Sequence, residues 1–147
     1  MLYSIELLTH GLCSPLGFDV PNKNISFVGE GDTPISFTTK SDISRFVGYA
    51  LTHQSATKLA NTMFRVEGDK KTWREVVAIF EAVYGGPFTV TTRSIAEAED
   101  KIARLGRAAF LEYLLLLAAK GWLEVGANDN ALVPEFEPVN IRGVLQK

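Results

Sequence analysis

Apolar positions along the chain alternate between two spacings, one typical of strands and one typical of helices. Short segments rich in β-branched and aromatic residues predict strands at residues 25–28, 35–39, 61–68 and 88–92. Apolar residues three and four positions apart predict helices between and after these strands. This order predicts one α/β domain over residues 1–147, leaning towards α+β, in which helices flank a small mixed sheet. Pro134 and Pro138 predict an irregular tail over residues 126–147, with at most a short final helix.

Three helices have recognisable starts. Thr39 or Ser41 can cap a helix whose predicted apolar face is Ile43, Phe46, Val47, Ala50 and Leu51. Two further helices open with capping boxes, in which a hydroxyl and a glutamate three residues later each bond the other's backbone N–H. The pairs are Thr72 with Glu75 and Ser94 with Glu97. The glycines at 85–86 and at 106 predict where these two helices end.

Two more helices are predicted from spacing alone, at residues 2–12 and 107–120. The second is apolar on most sides, so it must be covered either by the domain itself or by another chain. Residues 113–119 are the longest uncharged apolar segment, which is too short to span a bilayer.

Composition narrows the class of protein. The chain has 147 residues, 46% of them hydrophobic and 22% charged, with a net charge of −2. This balance is typical of a soluble globular protein and predicts neither a nucleic-acid nor a membrane partner. The first 17 residues include Glu6 and His10 but no lysine or arginine, so they do not resemble a signal peptide. The single cysteine, Cys13, is compatible with a reducing compartment, and we expect a cytoplasmic protein.

Common catalytic and metal-binding motifs are missing from the sequence. Cys13, His10 and His53 do not complete a set of four metal ligands, and nothing in the sequence brings His53 to the thiol. The acidic residues at 97–100 fall on the first turns of a helix, where a solvated face is expected. The catalytic residues therefore stay unknown, and we expect no metal site.

The glycines do not form a nucleotide-binding loop. Gly29 and Gly31 lie in GEGDTP, which lacks the third glycine and the following helix of a dinucleotide fingerprint. The Tyr-x-x-x-Lys pair of short-chain dehydrogenases is also missing, since none of the four tyrosines has a lysine at that spacing. We expect no cofactor to bind these residues.

A longer pattern resembles a known family. Residues 27–53, FVGEGDTPISFTTKSDISRFVGYALTH, and 61–91, NTMFRVEGDKKTWREVVAIFEAVYGGPFTVT, resemble the C-terminal, substrate-side half of NmrA-like proteins. These are atypical short-chain dehydrogenase/reductases and include isoflavone-reductase-like enzymes. GFDVPN at 17–22 is most similar to fungal members. The resemblance covers about residues 10–95, and it implies that the family's N-terminal nucleotide-binding half is absent from this sequence.

Three functional hypotheses follow from this resemblance. The chain is a small-molecule-binding or protein-interaction module without its own NAD(P) redox chemistry, or one half of an NAD(P)-dependent oxidoreductase, or a small cofactor-free isomerase or cyclase. A pocket would be lined by strand ends and by the loop at 12–19. The apolar candidates for its lining are Phe18, Phe37, Phe46 and Trp73.

A domain without its nucleotide half would expose a strand edge and an apolar face. We therefore expect a homodimer or a partner chain. The preferred contact is the segment 113–119, and the second is the strand at 25–28.

Overall fold

The structure, a computed structural model, describes residues 3–4, 17–134 and 136–146. In this part of the chain the strands are β1 (Tyr3–Ser4), β2 (Phe18–Asp19), β3 (Asn24–Val28), β4 (Ile35–Thr38), β5 (Asp69–Lys71) and β6 (Thr89–Arg93). The α-helices are α1 (Lys40–His53), α2 (Ala56–Leu59), α3 (Trp73–Tyr84), α4 (Ile95–Leu105), α5 (Phe110–Ala119) and α6 (Ile141–Leu145). Short 3₁₀ turns occupy Gly106–Ala109 and Asn130–Leu132.

The strands form two small mixed sheets, which confirms the predicted fold class but divides the single predicted sheet. In the first sheet β4 lies between β1, which is parallel to it, and β5, which is antiparallel. In the second sheet β3 lies between antiparallel β2 and parallel β6. The pairing of β3 with β6 runs from Asn24 opposite Thr89 to Val28 opposite Arg93, so both strands end at the same edge.

The helix starts follow the local signals in the sequence. Thr39 caps α1, and both predicted capping boxes are present, at α3 and at α4. The predicted apolar face of α1 is only partly right, since Phe46 and Ala50 are buried while Val47 and Leu51 are 46% and 66% exposed.

One large core joins both sheets to α3 and α5. Trp73, the first residue of α3, lies at its centre and is 1% exposed. Its ring contacts those of Phe18, Phe27 and Phe37 at centroid distances of 5.4, 6.3 and 5.9 Å. Both sheets therefore pack on the same indole, which connects them.

A smaller second core lies beside α1 and is completed by the C-terminal segment. Phe46 of α1 packs against Phe64 and Phe136, with ring centroids 5.7 and 6.0 Å apart. The segment is fixed to α1 by Asp42, a fully buried carboxylate whose Oδ2 accepts a 2.9 Å hydrogen bond from the backbone N–H of Val139. The C-terminal segment therefore packs on α1 before the chain reaches the short final helix, α6.

Two predicted elements need correction. Residues 61–68 do not form a strand, because the residues that pair with β4 are Asp69–Lys71, further along the chain. The predicted helix at 2–12 is wrong at Tyr3–Ser4, which form a strand, and its remaining residues lie outside the described part. In the described residues, no helix combines the length and the apolar character needed to cross a bilayer.

The two surfaces predicted for a dimer contact are largely covered within the domain itself. Leu114 and Leu117 of α5 are 6% and 7% exposed, because the domain's own core covers this helix. The strand at 25–28 is not an edge, since β2 and β6 flank it on both sides. The homodimer itself stays a prediction, without the surfaces first assigned to it.

Candidate binding cleft

A cleft of about 530 Å³ opens where β3 and β6 end. The residues that line it come from the loop after β3, from the junction of β6 with α4 and from the end of α5: Gly29, Glu30, Asp32, Thr33, Thr92, Arg93, Ser94, Ile95 and Ala119. The backbone N–H of Gly29 donates a 2.8 Å hydrogen bond to the carbonyl oxygen of Arg93, which joins two walls of the cleft. Its volume is within the range of small-molecule sites.

The loop after β3 is held in place by glycine geometry and by one arginine. Gly31 has a φ of +80°, and a Cβ there would lie 2.6 Å from the ring of Phe27, so a side chain would require the loop to move. Arg74 of α3 donates from its backbone to the carbonyl of Gly31 at 3.2 Å and from Nε to that of Glu30 at 2.9 Å. Arg74 also pairs with Asp32 at 3.0 Å.

Arg93 forms the charged wall of the cleft. Its Nε donates to Oε1 of Glu112 at 3.1 Å, and Lys101 Nζ donates to the other oxygen of Glu112 at 2.6 Å. Burial alone would raise the pKa of Glu112, but the hydrogen bonds from Lys101 and Arg93 outweigh it and hold the pKa below its usual value. Glu112 therefore stays ionised at neutral pH and orients both cations.

The N-terminus of α4 lies at the same cleft, but the capping box already bonds some of the backbone N–H groups at this helix end. Ser94 Oγ accepts a hydrogen bond from the backbone N–H of Glu97 at 3.2 Å. The Glu97 carboxylate accepts one from the backbone N–H of Ser94 at 2.8 Å, and this bond lowers the pKa of Glu97. The negative charge at this helix end is therefore supplied by the protein itself.

The four aromatic residues predicted to line a pocket lie in the two cores. Phe18 and Phe37 each contact Trp73 in the large core, and Phe46 lies in the second core. Each is at most 1% exposed, and none of them lines the cleft. The cleft does lie at strand ends, where the sequence predicted the lining, but its lining residues are mainly polar. Sequence reasoning therefore missed Arg93 and Glu112, whose pairing depends on the α4–α5 packing.

The residues considered for metal binding and nucleophilic catalysis do not converge in the described part of the chain. His53 is exposed and stacks on Tyr49 at 4.1 Å between ring centroids. Cys13 and His10 lie outside the described residues. Among the described residues, no group of three or more histidine, cysteine or acidic side chains could hold a metal ion.

Comparison with known proteins shows likeness in structure rather than in sequence. No protein-family model and no curated protein matches the chain. The structure is similar to that of a nucleoside-diphosphate-sugar epimerase from Staphylococcus aureus, with a TM-score of 0.72 and 20% identity. This match covers 100% of the chain and 50% of the epimerase.

Two solved reductase structures give the same picture. An NADPH-dependent quinone oxidoreductase from Escherichia coli, complexed with NADPH, matches with a TM-score of 0.64 and 16% identity over 98% of this chain and 50% of its own. A triphenylmethane reductase from Citrobacter sp., complexed with NADP(H), matches with a TM-score of 0.64 and 15% identity over 99% and 50%. The chain has a mixed α/β fold similar to part of these reductases and the epimerase, and it spans about half their length.

Proposed function

We propose that the chain is the C-terminal, substrate-side part of an NmrA-like reductase, and that its cleft binds a small organic molecule. The observation that carries this proposal is the extent of the fold match. Nearly all of this chain aligns with half of a quinone oxidoreductase and half of a triphenylmethane reductase. Identities of 15–16% support the fold alone, so the activity is inferred from the combination of this match with the cleft.

Within this proposal, substrate binding and nucleotide binding belong to different parts of the protein. The sequence has no G-x-G-x-x-G between a strand and a helix, the motif that brings backbone close to a pyrophosphate. We place the nucleotide site outside these 147 residues, on the same polypeptide or on a partner chain. The present chain would then contribute the cleft at the ends of β3 and β6.

Calorimetric titration of the purified chain tests both halves of this proposal. We expect no micromolar site for NADPH and saturable binding of 1-naphthamide, a neutral bicyclic aromatic small enough for the cleft. Thr92 lines the cleft and is exposed, so Thr92→Trp should fill the cleft and remove naphthamide binding.

The matched control is Thr91→Trp. Thr91 is also exposed but does not line the cleft, so this variant should bind naphthamide like the wild type. A micromolar NADPH site in the wild-type chain would contradict the proposal that the nucleotide site lies outside these residues. Naphthamide binding that survives Thr92→Trp would show that the cleft is not the site.

A further inference from the structure

Arg93 is only partly used by the protein. Its Nε is bonded to Glu112, while its terminal nitrogens make no hydrogen bond or ion pair with any other described residue. The side chain keeps 29% of its surface exposed at the wall of the cleft. A guanidinium has five N–H donors in a rigid plane, so several remain for another partner.

The charges around the cleft are arranged asymmetrically. Glu112 is shared by Arg93 and Lys101, and the Glu97 carboxylate also interacts with the charge of Arg93, so these four side chains have no net charge at neutral pH. On the loop after β3, Asp32 is paired with Arg74, whereas Glu30 makes no ion pair with another described residue. The cleft therefore has a guanidinium with unbonded N–H groups at the end of β6 and an unpaired carboxylate on the loop after β3.

We propose that the cleft selects a small organic molecule carrying a single carboxylate, and that Arg93 receives this carboxylate. The inference rests on the proposed function, because it names the class of molecule that the cleft would bind. A guanidinium and a carboxylate form charge-assisted hydrogen bonds of matching planar geometry. Ile95 and Ala119 provide apolar surface for the rest of the molecule.

Glu30 limits the charge of the molecule. A second carboxylate, or a phosphate group with its larger negative charge, would approach this unpaired carboxylate at the other wall of the cleft. The arrangement therefore favours a monocarboxylate over a dicarboxylate of the same size.

The test compares compounds that share one ring system. Calorimetry on the whole chain should show 1-naphthoate binding about tenfold more tightly than 1-naphthamide, the gain expected for one charge-assisted hydrogen bond. Naphthalene-1,4-dicarboxylate should bind more weakly than 1-naphthoate. Arg93→Gln should remove the preference for naphthoate over naphthamide.

Two variants make the comparison specific. Arg104→Gln removes another exposed arginine, on α4, that does not line the cleft, and it should keep the full preference for naphthoate. Arg93→Lys retains the charge but not the planar geometry, so it should lose part of the preference. Arg93→Lys also replaces Arg93→Gln as the test variant if circular dichroism shows that Arg93→Gln does not fold.

The possible outcomes separate this inference from the proposed function. Equal affinities of wild-type chain for naphthoate and naphthamide, or a preference that survives both substitutions of Arg93, would overturn the inference and leave the proposed function standing. If neither compound binds the wild-type chain, both proposals are rejected.

Discussion

Replacing Trp73 with alanine tests the central claim about the fold, that one indole joins the two sheets. Trp73 is 1% exposed and its ring contacts three phenylalanine rings from β2, β3 and β4. Truncation of a buried aromatic residue costs about 3–5 kcal/mol because of the lost transfer free energy and the cavity left behind. Each aromatic pair adds about 0.5–1.5 kcal/mol beyond burial, so we expect Trp73→Ala at the upper end of that range.

This loss is large compared with the stability of a single domain, which is about 5–15 kcal/mol. With a urea m-value of about 2 kcal/mol per M, a loss of 4–5 kcal/mol lowers the unfolding midpoint by about 2–2.5 M. Far-ultraviolet circular dichroism is the appropriate probe, because removing Trp73 leaves Trp122, 68% exposed, as the remaining tryptophan. A Trp122→Phe background gives the complementary fluorescence signal of Trp73 alone.

The matched comparison is the preceding residue, Thr72. Its side chain caps α3 by accepting a 3.2 Å hydrogen bond from the backbone N–H of Glu75, and loss of such a cap costs about 1 kcal/mol. Thr72→Ala should therefore lower the stability several times less than Trp73→Ala. Similar small losses for the two variants would refute the assignment of Trp73 to the centre of the core.

Three further predictions concern charge, the C-terminal segment and assembly. Glu112→Gln should cost about 1–3 kcal/mol at pH 7, since it weakens hydrogen bonds from Lys101 and Arg93 to a buried charge. Because folding lowers the pKa of Glu112, its contribution is complete above the ordinary glutamate pKa of about 4.3 and is lost as the pH falls through the lower pKa of the folded state. The urea midpoints of wild type and variant should therefore approach each other on acidification, and a constant difference would contradict this. Asp42→Ala should lower the free energy of unfolding by about 1–3 kcal/mol. It should also speed hydrogen exchange at the backbone N–H of Val139, which loses its acceptor. Unchanged exchange at Val139 would mean that Asp42 does not hold the segment. Light scattering of the purified chain at high concentration should give the mass of a dimer, or that of a complex when a partner chain is present. A stable, well-folded monomer would contradict the predicted homodimer.

Elements defined by neighbouring residues could be predicted from the sequence, and those defined by distant partners could not. The capping boxes at Thr72 and Ser94 are complete within four residues, so composition and spacing suffice to place α3 and α4. The segment 61–68 has the composition of a strand, but strand formation depends on a partner, and β4 pairs with Asp69–Lys71 instead. Local propensity was overruled there by tertiary pairing.

The candidate cleft shows the same limit more strongly. Arg93 and Glu112 are 19 positions apart, and charged residues of both kinds are common on any protein surface. Only the packing of α4 on α5 after β6 brings them together, so no spacing rule selects this pair. The aromatic residues were chosen from the sequence as apolar candidates for a pocket lining. They are buried in the cores instead, because large rings contribute most to a core.

The attachment of the C-terminal segment to α1 also affects the order in which the protein can fold during its synthesis. The hydrogen bond between Asp42 and Val139 joins residues 97 positions apart, and Phe136 covers Phe46 in the second core. Because synthesis proceeds from the N-terminus, α1 can form early, but the aromatic ring of Phe46 lacks this cover until the segment around Phe136 has been made. The nascent chain therefore exposes an apolar site during that interval, which is the kind of surface that ribosome-associated chaperones shield from aggregation.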